Sequence, residues 1–118
     1  MTSLNNIGLD KSESEKLSIL LNDLLANYSV FYQNSRGYHW NIQGEKFFEL
    51  HLKFEELYND LFIKIDEIAE RILTLGYTPQ YKSSTYLNVS DIIESNEVKN
   101  GSKSIVEIIN TFKILLTK

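Results

Sequence analysis

Cysteine is absent from the 118 residues, which excludes disulfide bonds, zinc fingers and thiolate chemistry. Any metal must therefore be held by histidine, aspartate or glutamate, a ligand set that favours iron, manganese or a similar metal. No apolar run approaches the ~18–20 residues that a membrane-spanning helix needs. Residues 1–16 also lack the basic start and the apolar stretch of a secretory signal. These absences predict a cytoplasmic protein that has no membrane span.

The chain is short and mildly acidic. A length of 118 residues predicts one domain over residues 1–118, without a linker to a second one. A domain of this size buries only about two-thirds of its chain surface, so an oligomer would help to stabilise it. The formal net charge of -4 argues against non-specific binding to nucleic acid, although it leaves a local basic patch open.

Apolar residues recur at helical spacing along most of the chain. Ser12, followed by Glu15, resembles a capping box and predicts the start of a first helix that runs to about Asn41. A second helix is predicted from near Glu45 to about Leu75. Two helices of about 30 residues that are joined by a short turn predict an antiparallel hairpin.

The remainder of the chain holds a weaker pattern. Residues 77–103 are polar, with a short helical candidate over 91–94 behind a possible Ser90 cap. A third long helix is predicted from Ser104, with a capping box to Glu107. Its predicted apolar face consists of Ile105, Ile108, Ile109, Phe112 and Leu116.

The second helix has a partly apolar face beside its core stripe. His51 and Glu55 lie one turn apart and form what we call the histidine clip; Asp66 and Glu70 form the carboxylate clip. Carboxylates within an apolar surface are costly to bury unless they are paired or bound to a metal. A second apolar stripe also implies a partner surface. The apolar residues of this face are Tyr58, Phe62, Ala69 and Leu73.

The spacing of the two clips bears on how many chains form a site. His51 and Asp66 are separated by about 22 Å along a helix, so one metal cannot reach both clips of one chain. If two copies pack antiparallel about a two-fold axis near Asp60, each histidine clip meets the carboxylate clip of the other copy. His39, near the end of the first helix, could complete the ligand set. Histidine and carboxylate ligands with open positions suit iron chemistry.

Each of these residues also has a purely structural explanation. Carboxylates on helices are usually solvated, and a lone histidine in line with a core stripe, such as His39, is more often structural than a ligand. Trp40 and Tyr38 are more often packing residues than redox groups. Spacing alone leaves both interpretations open.

From about Leu24 to Pro79 the sequence resembles the signature region of the Dps family, the ferritin-like mini-ferritins of bacteria and archaea. The resemblance is carried by motifs that stand at family spacing. These motifs are His39-Trp40, Leu50-His51, the stretch DEIAER from Asp66 to Arg71, and the connecting segment with Gly44 and Phe48.

The resemblance implies an all-α, ferritin-like four-helix bundle in a hollow dodecameric shell that oxidises ferrous iron and stores the ferric mineral. Hydrogen peroxide is the preferred oxidant of the family, and its ferroxidase site lies between two-fold-related subunits. Trp40 resembles the family tryptophan beside that site, which intercepts radicals or passes electrons. By position, one chain supplies the metal ligands His39, His51 and Glu55, and the other supplies Asp66 and Glu70.

Two departures from the family change these expectations. Glu55 stands where the family usually has aspartate, so we expect an altered metal affinity rather than its loss. The chain also ends where the third helix of the family continues and a fourth follows. We therefore expect a bundle that lacks the last part of the third helix and the fourth helix. If the truncation is real, the purified chain is expected to aggregate or to form irregular oligomers.

DNA binding, the other activity of the family, often uses a lysine-rich tail. Residues 1–16 hold two lysines against three carboxylates, so this tail is not expected to bind phosphates. The leading prediction is an iron-storing ferroxidase that protects against oxidative damage. The alternatives are a DNA-protecting protein with secondary metal binding, which would be associated with the nucleoid, and a remnant that cannot assemble.

Overall fold

The computed structural model describes residues 10–96 and 98–118, and these fold into four helices and no strand. In chain order they are α1 (Lys11–Asn41), α2 (Phe47–Thr74), α3 (Ser83–Val89) and α4 (Gly101–Leu115). The two long helices α1 and α2 make the most extensive pairing in the molecule, and α3 and α4 pack on α1. The predicted all-α class and the predicted helical hairpin are confirmed.

The hairpin turn depends on glycine. Gly44, in the middle of the short break between α1 and α2, adopts a φ of 111°, which a side chain with a Cβ atom strongly disfavours. Gly76 does the same after α2 with a φ of 89°, and the amide of Tyr77 then donates to the carbonyl of Ile72. These two glycines let the chain turn after each of the long helices.

The core lies along the inner stripe of α2. The apolar residues that recur at helical spacing along the second helix are Phe47, Leu50, Phe54, Leu57, Leu61, Ile65, Ile68, Ile72 and Leu75. Phe54, Leu61 and Ile72 of this stripe are buried, together with Leu75 just beyond the helix. On the opposite helix, Phe31 is fully buried between α2 and α4 and meets the ring of Phe112 edge to face, with the ring centroids 5.4 Å apart. The helical spacing of α2 therefore predicted its buried face correctly.

The predicted helix caps are wrong by a few residues. α1 begins behind Asp10, whose carboxylate accepts from the amide of Glu13 at 2.8 Å, and not behind Ser12. α4 begins behind Asn100, whose side chain accepts from the amide of Lys103 at 3.1 Å, whereas Ser104 is buried inside the helix. The capping residues have extended backbones, which lets their side chains fold back onto the first turn.

The predicted helix over 91–94 does not form, and the helix of this region is α3. Ser90 lies at the C-terminal end of α3 rather than at the start of a helix. The backbone after it is held by Asn27, whose Oδ1 accepts from the amides of Asp91 at 3.0 Å and Ile92 at 3.3 Å. These two bonds tie the backbone that follows α3 to α1.

α4 presents a different face to α1 from the one predicted. Ile109 and Phe112 are about half exposed, whereas Ser104 and Thr111 are buried. The orientation is set by Glu107, whose Oε1 accepts from the hydroxyls of Tyr38 at 2.7 Å and Ser95 at 2.6 Å. These bonds turn the polar line of α4 inward and leave much of its apolar stripe on the surface. Ile105 and Leu116 of the predicted face are also exposed.

The Tyr38–Glu107 hydrogen bond leads to a first stability prediction. Tyr38→Phe should lower the free energy of unfolding by about 1–2 kcal/mol, because Glu107 loses a buried donor. Burial, and then the bond to Glu107, raise the pKa of Tyr38. The stability that this raised pKa contributes is therefore fully present below about pH 10 and is lost as the pH rises above it. Urea unfolding at pH 7 and pH 11 measures both effects.

The exposed Tyr81 provides the matched control. Tyr81→Phe should leave the unfolding free energy unchanged at both pH values. Equal stability of Tyr38→Phe and the parent chain at pH 7 would contradict the role given to this bond.

The length and hydropathy of the helices were compared with those of a membrane span, over the residues that the structure describes. None of the four helices is long and apolar enough to cross a bilayer.

Candidate metal centre

His39 and His51 face each other across the helical hairpin. Their rings are stacked, with centroids 3.6 Å apart and an interplanar angle of 19°. His39 lies near the end of α1 and is buried, whereas His51 lies in the second turn of α2 and is half-buried. The antiparallel hairpin thus brings together two histidines that are 12 positions apart in the sequence.

The two histidines bond to each other's backbone in a reciprocal way. Nδ1 of His39 lies 2.6 Å from the carbonyl oxygen of His51, and Nδ1 of His51 lies 2.7 Å from the carbonyl oxygen of His39. A carbonyl oxygen only accepts, so each Nδ1 must carry the proton and donate it. In a neutral imidazole the lone pair is then on Nε2, which is the arrangement of a histidine prepared to bind a metal.

Aromatic rings close the sides of this pair. The ring of Phe47 stacks on His51 with centroids 4.9 Å apart, and Tyr58 meets His39 edge to face at 5.3 Å. Both contacts restrict the imidazole planes. Glu55 follows His51 by one turn of α2 and is half-buried, so the histidine clip lies at the edge of an apolar environment.

The carboxylate clip lies far from the histidines of the same chain. Asp66 and Glu70 are exposed on α2, and Asp66 is about 22 Å from His51 along the helix. Across residues 10–96 and 98–118, no three histidine or carboxylate side chains come together as a metal-binding group. The structure of one chain thus brings His39 and His51 together with Glu55 nearby, but it does not bring Asp66 and Glu70 to them.

Apolar side chains lie between, within and beyond the two clips on the outer face of α2. Phe62 is 61% exposed and Leu73 is 60% exposed, while Tyr58 and Ala69 are half-buried. An exposed apolar strip of this kind is typical of a protein interaction surface. We call it the α2 outer face.

Trp40 differs from the other aromatic residues near the site. It is 57% exposed, and the guanidinium carbon of Arg36 lies 4.7 Å from the centre of its ring. Such a distance is typical of a cation–π contact. Sequence reasoning missed both Arg36 and the ring contact of Tyr58 with His39. The i, i+4 spacing of Arg36 and Trp40 was a signal for the first, whereas the contact of Tyr58 with His39 depends on how two helices pack.

Comparison with known proteins places these features in a family. The model of the ferritin-like domain, described under the name Ferritin, matches residues 19–113. The crystal structure of a Dps protein from Vibrio cholerae superposes with a TM-score of 0.96 at 54% sequence identity, covering 99% of this chain and 74% of that one. The chain belongs to the Dps family. That structure is described as a member of a broad superfamily of ferritin-like diiron-carboxylate proteins.

Relatives at the sequence level agree with this assignment. An uncharacterised protein of Haemophilus influenzae is 52% identical over 114 residues, which are 97% of this chain and 71% of that protein. The DNA protection during starvation protein of Porphyromonas gingivalis is 44% identical over 98 residues, which are 83% of this chain. The match spans 62% of the Porphyromonas protein, so less than two-thirds of its length.

Membership in the Dps family confirms two predictions made from the sequence, the resemblance itself and the ferritin-like fold. At the level of the family, it associates the chain with iron handling and with protection of DNA. The five predicted metal ligands and the role of Trp40 are not tested by the family assignment and stay predictions. The same holds for the single domain over residues 1–118.

Proposed function

We propose that the protein binds ferrous iron and oxidises it, with hydrogen peroxide as the oxidant, at sites formed between two copies of the chain. The reciprocal bonding of His39 and His51 is the observation that carries this proposal. It directs the proton of each imidazole to Nδ1 and leaves Nε2 as a ligand atom beside Glu55. The ferritin-like family and its diiron-carboxylate member support iron as the metal.

Iron is the substrate in this proposal, and its oxidation balances with one peroxide molecule. Two ferrous ions give one electron each, and hydrogen peroxide with two protons becomes two water molecules. The product ferric ions are harder cations that prefer carboxylate oxygens. A site that combines two imidazoles with Glu55 and further carboxylates therefore suits both the binding and the oxidation step.

The missing carboxylates are supplied by the second copy in an isologous dimer. When two α2 helices pack antiparallel through the α2 outer face, the histidine clip of each meets the partner subunit's Asp66 and Glu70. Burial of Phe62 and Leu73 would contribute to such a pairing. We propose that these dimers build the dodecameric shell of the family, within which the ferric product is stored.

Two further residues and the location complete the proposal. Glu55 takes the place of the usual aspartate of the family and reaches the iron with a longer side chain. Trp40, exposed beside Arg36, intercepts radicals that arrive from the solvent side. We place the protein in the cytoplasm, where removing iron and peroxide together would limit oxidative damage.

DNA binding through the N-terminal tail is not part of the proposal. Residues 1–9 of that tail lie outside the described residues, and most of the rest forms the first turns of α1. The relatives named for DNA protection leave open whether they act by binding DNA or by removing oxidants. A gel shift of DNA by this chain at physiological salt, weakened by added salt, would show direct binding.

The proposed function is tested by anaerobic titration with ferrous iron, followed by hydrogen peroxide, with the protein sized in parallel. We expect saturable binding and rapid oxidation by the parent chain. Glu70→Gln should weaken ferrous binding by about tenfold or more, because a carboxylate ligand becomes a neutral amide. Glu67→Gln, an exposed neighbour on α2, is the matched control and should bind as the parent chain does.

The outcomes separate chemistry from assembly. Saturable binding by an assembled species, weakened in Glu70→Gln but not in Glu67→Gln, would support the proposal. A soluble, assembled chain without binding above background would refute it.

A further inference from the structure

Phe48 is the most exposed aromatic side chain of α2 and lies one turn before the histidine clip. It is 84% exposed, although its ring meets that of Phe47 edge to face with the centroids 5.3 Å apart. Phe47 in turn stacks on His51. The Phe48 ring is therefore held beside the candidate site, yet its outer surface is uncovered in the single chain. A large apolar side chain in this state is typical of an interaction surface.

Leu73 occupies the equivalent place beside the carboxylate clip. Phe48 lies three positions before His51, and Leu73 lies three positions after Glu70. Leu73 is also largely uncovered. In the proposed antiparallel pairing, the histidine clip of one copy meets the carboxylate clip of the other, so the residues one turn outside the clips must meet as well. Phe48 thus comes against the partner subunit's Leu73.

The register of the two α2 helices is decided by the side chains that meet. When the two-fold axis passes between residues 60 and 61, each histidine clip meets a carboxylate clip over its whole length. A shift by one turn in one direction places Glu55 against the partner subunit's Phe62. A shift in the other direction leaves His51 against the partner subunit's Thr74. Because a buried carboxylate against an apolar ring is costly, the first register is favoured.

The same register puts a second apolar contact at the other end of each site. Tyr58, whose ring meets His39, comes against the partner subunit's Ile63, which is 56% exposed in the single chain. In this register apolar side chains therefore stand at both ends of each metal site along α2. Apolar contacts that surround polar groups exclude water from them. Electrostatic attraction between a metal and its carboxylates is stronger where water is excluded.

We propose that Phe48 and the partner subunit's Leu73 form an apolar contact that closes the end of each metal site and slows the release of bound ferrous iron. The inference rests on the proposed function and adds to it a contact that retains the metal. The contact forms only when two copies pair, so retention of iron depends on assembly. Phe48 covers the site and is not a ligand.

The test loads the paired protein with ferrous iron in the absence of oxygen and measures transfer of the iron to an excess of the chelator ferrozine. Sizing at the same protein concentration shows whether each variant is paired. Phe48→Ala should release iron about tenfold faster than the parent chain, because closure no longer buries the ring. Leu73→Ala should have the same effect. The variant with both substitutions should release iron no faster than either single variant, because both remove one contact.

Two variants serve as controls. Phe48→Leu keeps an apolar side chain against the partner subunit's Leu73 and should preserve slow release. Leu20→Ala removes the same atoms as Leu73→Ala from a leucine of similar exposure, 67%, which lies on α1 and outside the α2 outer face. It should release iron as the parent chain does.

Three results would overturn the inference while leaving the proposed function intact. One is release at the parent rate from either alanine variant. Another is an effect of the double substitution equal to the product of the single effects, about hundredfold, because the two side chains would then act separately. The third is loss of pairing in either variant, since the contact would then hold the copies together instead of closing the site. Absence of ferrous binding by the parent chain would instead overturn the proposed function, and the inference with it.

Discussion

Replacing His51 with alanine is expected to abolish saturable ferrous binding and to slow peroxide-driven oxidation by at least about 100-fold. The substitution removes one imidazole ligand, and it also removes the donor to the carbonyl of His39 and the ring stacked on it. His39 keeps the bond from its Nδ1 to the backbone carbonyl of residue 51 but loses the ring stacked on it, so the change removes one ligand and loosens the second. Anaerobic ferrous titration and stopped-flow oxidation measure the loss.

A matched control distinguishes the loss of a ligand from a general change in α2. Lys53→Ala alters an exposed side chain two positions away, whose ion pair with Glu56 is solvated. It should bind iron as the parent chain does, and circular dichroism should show both variants equally helical. If His51→Ala retained saturable binding, His51 would not be a ligand.

The largest expected change in stability comes from Asn27. Asn27→Ala should lower the free energy of unfolding by about 3 kcal/mol, because the backbone amides of Asp91 and Ile92 lose their acceptor in a buried location. The Asn27 side chain has no solvent exposure, and its amide also donates to the carbonyl of Asp23 at 2.8 Å. Urea unfolding followed by circular dichroism measures the change.

Asn22 provides the comparison for this prediction. It also bonds to the segment between α2 and α4, but before α3 and from a more exposed position, where its Oδ1 accepts from the amide of Gln80 at 2.9 Å. Asn22→Ala should therefore lower the unfolding free energy by no more than about 1 kcal/mol, because water can replace the lost acceptor. Equal effects of the two substitutions would show that burial of the Asn27 bonds does not matter.

The sequence predicted the helical hairpin well because the residue patterns that form a hairpin act locally. The apolar spacing of α2 and the glycines at positions 44 and 76 act within a few residues of where they stand. Cap prediction failed for a related reason. Ser12 and Ser104 both fit a capping box, but Asp10 and Asn100 stand earlier with extended backbones and take that role. Residue types alone do not indicate which of two nearby polar residues caps a helix.

The segment between α2 and α4 could not be predicted in the same way. Its path depends on asparagines of α1 that lie 56 to 65 positions away in sequence. Asn34 is an example, since its amide donates to the carbonyl of Ile93 at 3.0 Å and its Oδ1 accepts from the amide of Ser95. Such bonds leave no periodic signal, so the sequence did not predict α3 and instead predicted a helix over 91–94, where none forms.

The candidate site also has a part that local sequence patterns predict and a part that depends on contacts between helices. Spacing along α2 was enough to pair His51 with Glu55 and Asp66 with Glu70, and to exclude a site that joins both pairs within one chain. The reciprocal bonds between His39 and His51 depend on how two helices pack, and no local pattern encodes them. The face that α4 buries could not be predicted for the same reason, because it depends on the bond between Glu107 and Tyr38 of another helix.

The central claim, that each site is shared between two copies, is tested most directly by mixing two inactive variants. One carries His51→Ala and Glu55→Ala, and the other carries Asp66→Ala and Glu70→Ala. Each alone should be inactive. After unfolding and refolding together in equal amounts, about half of the dimers are mixed and each has one intact site, so about one quarter of the parent oxidation should return. Activity that stays at background in a mixture shown to contain mixed dimers would contradict a shared site.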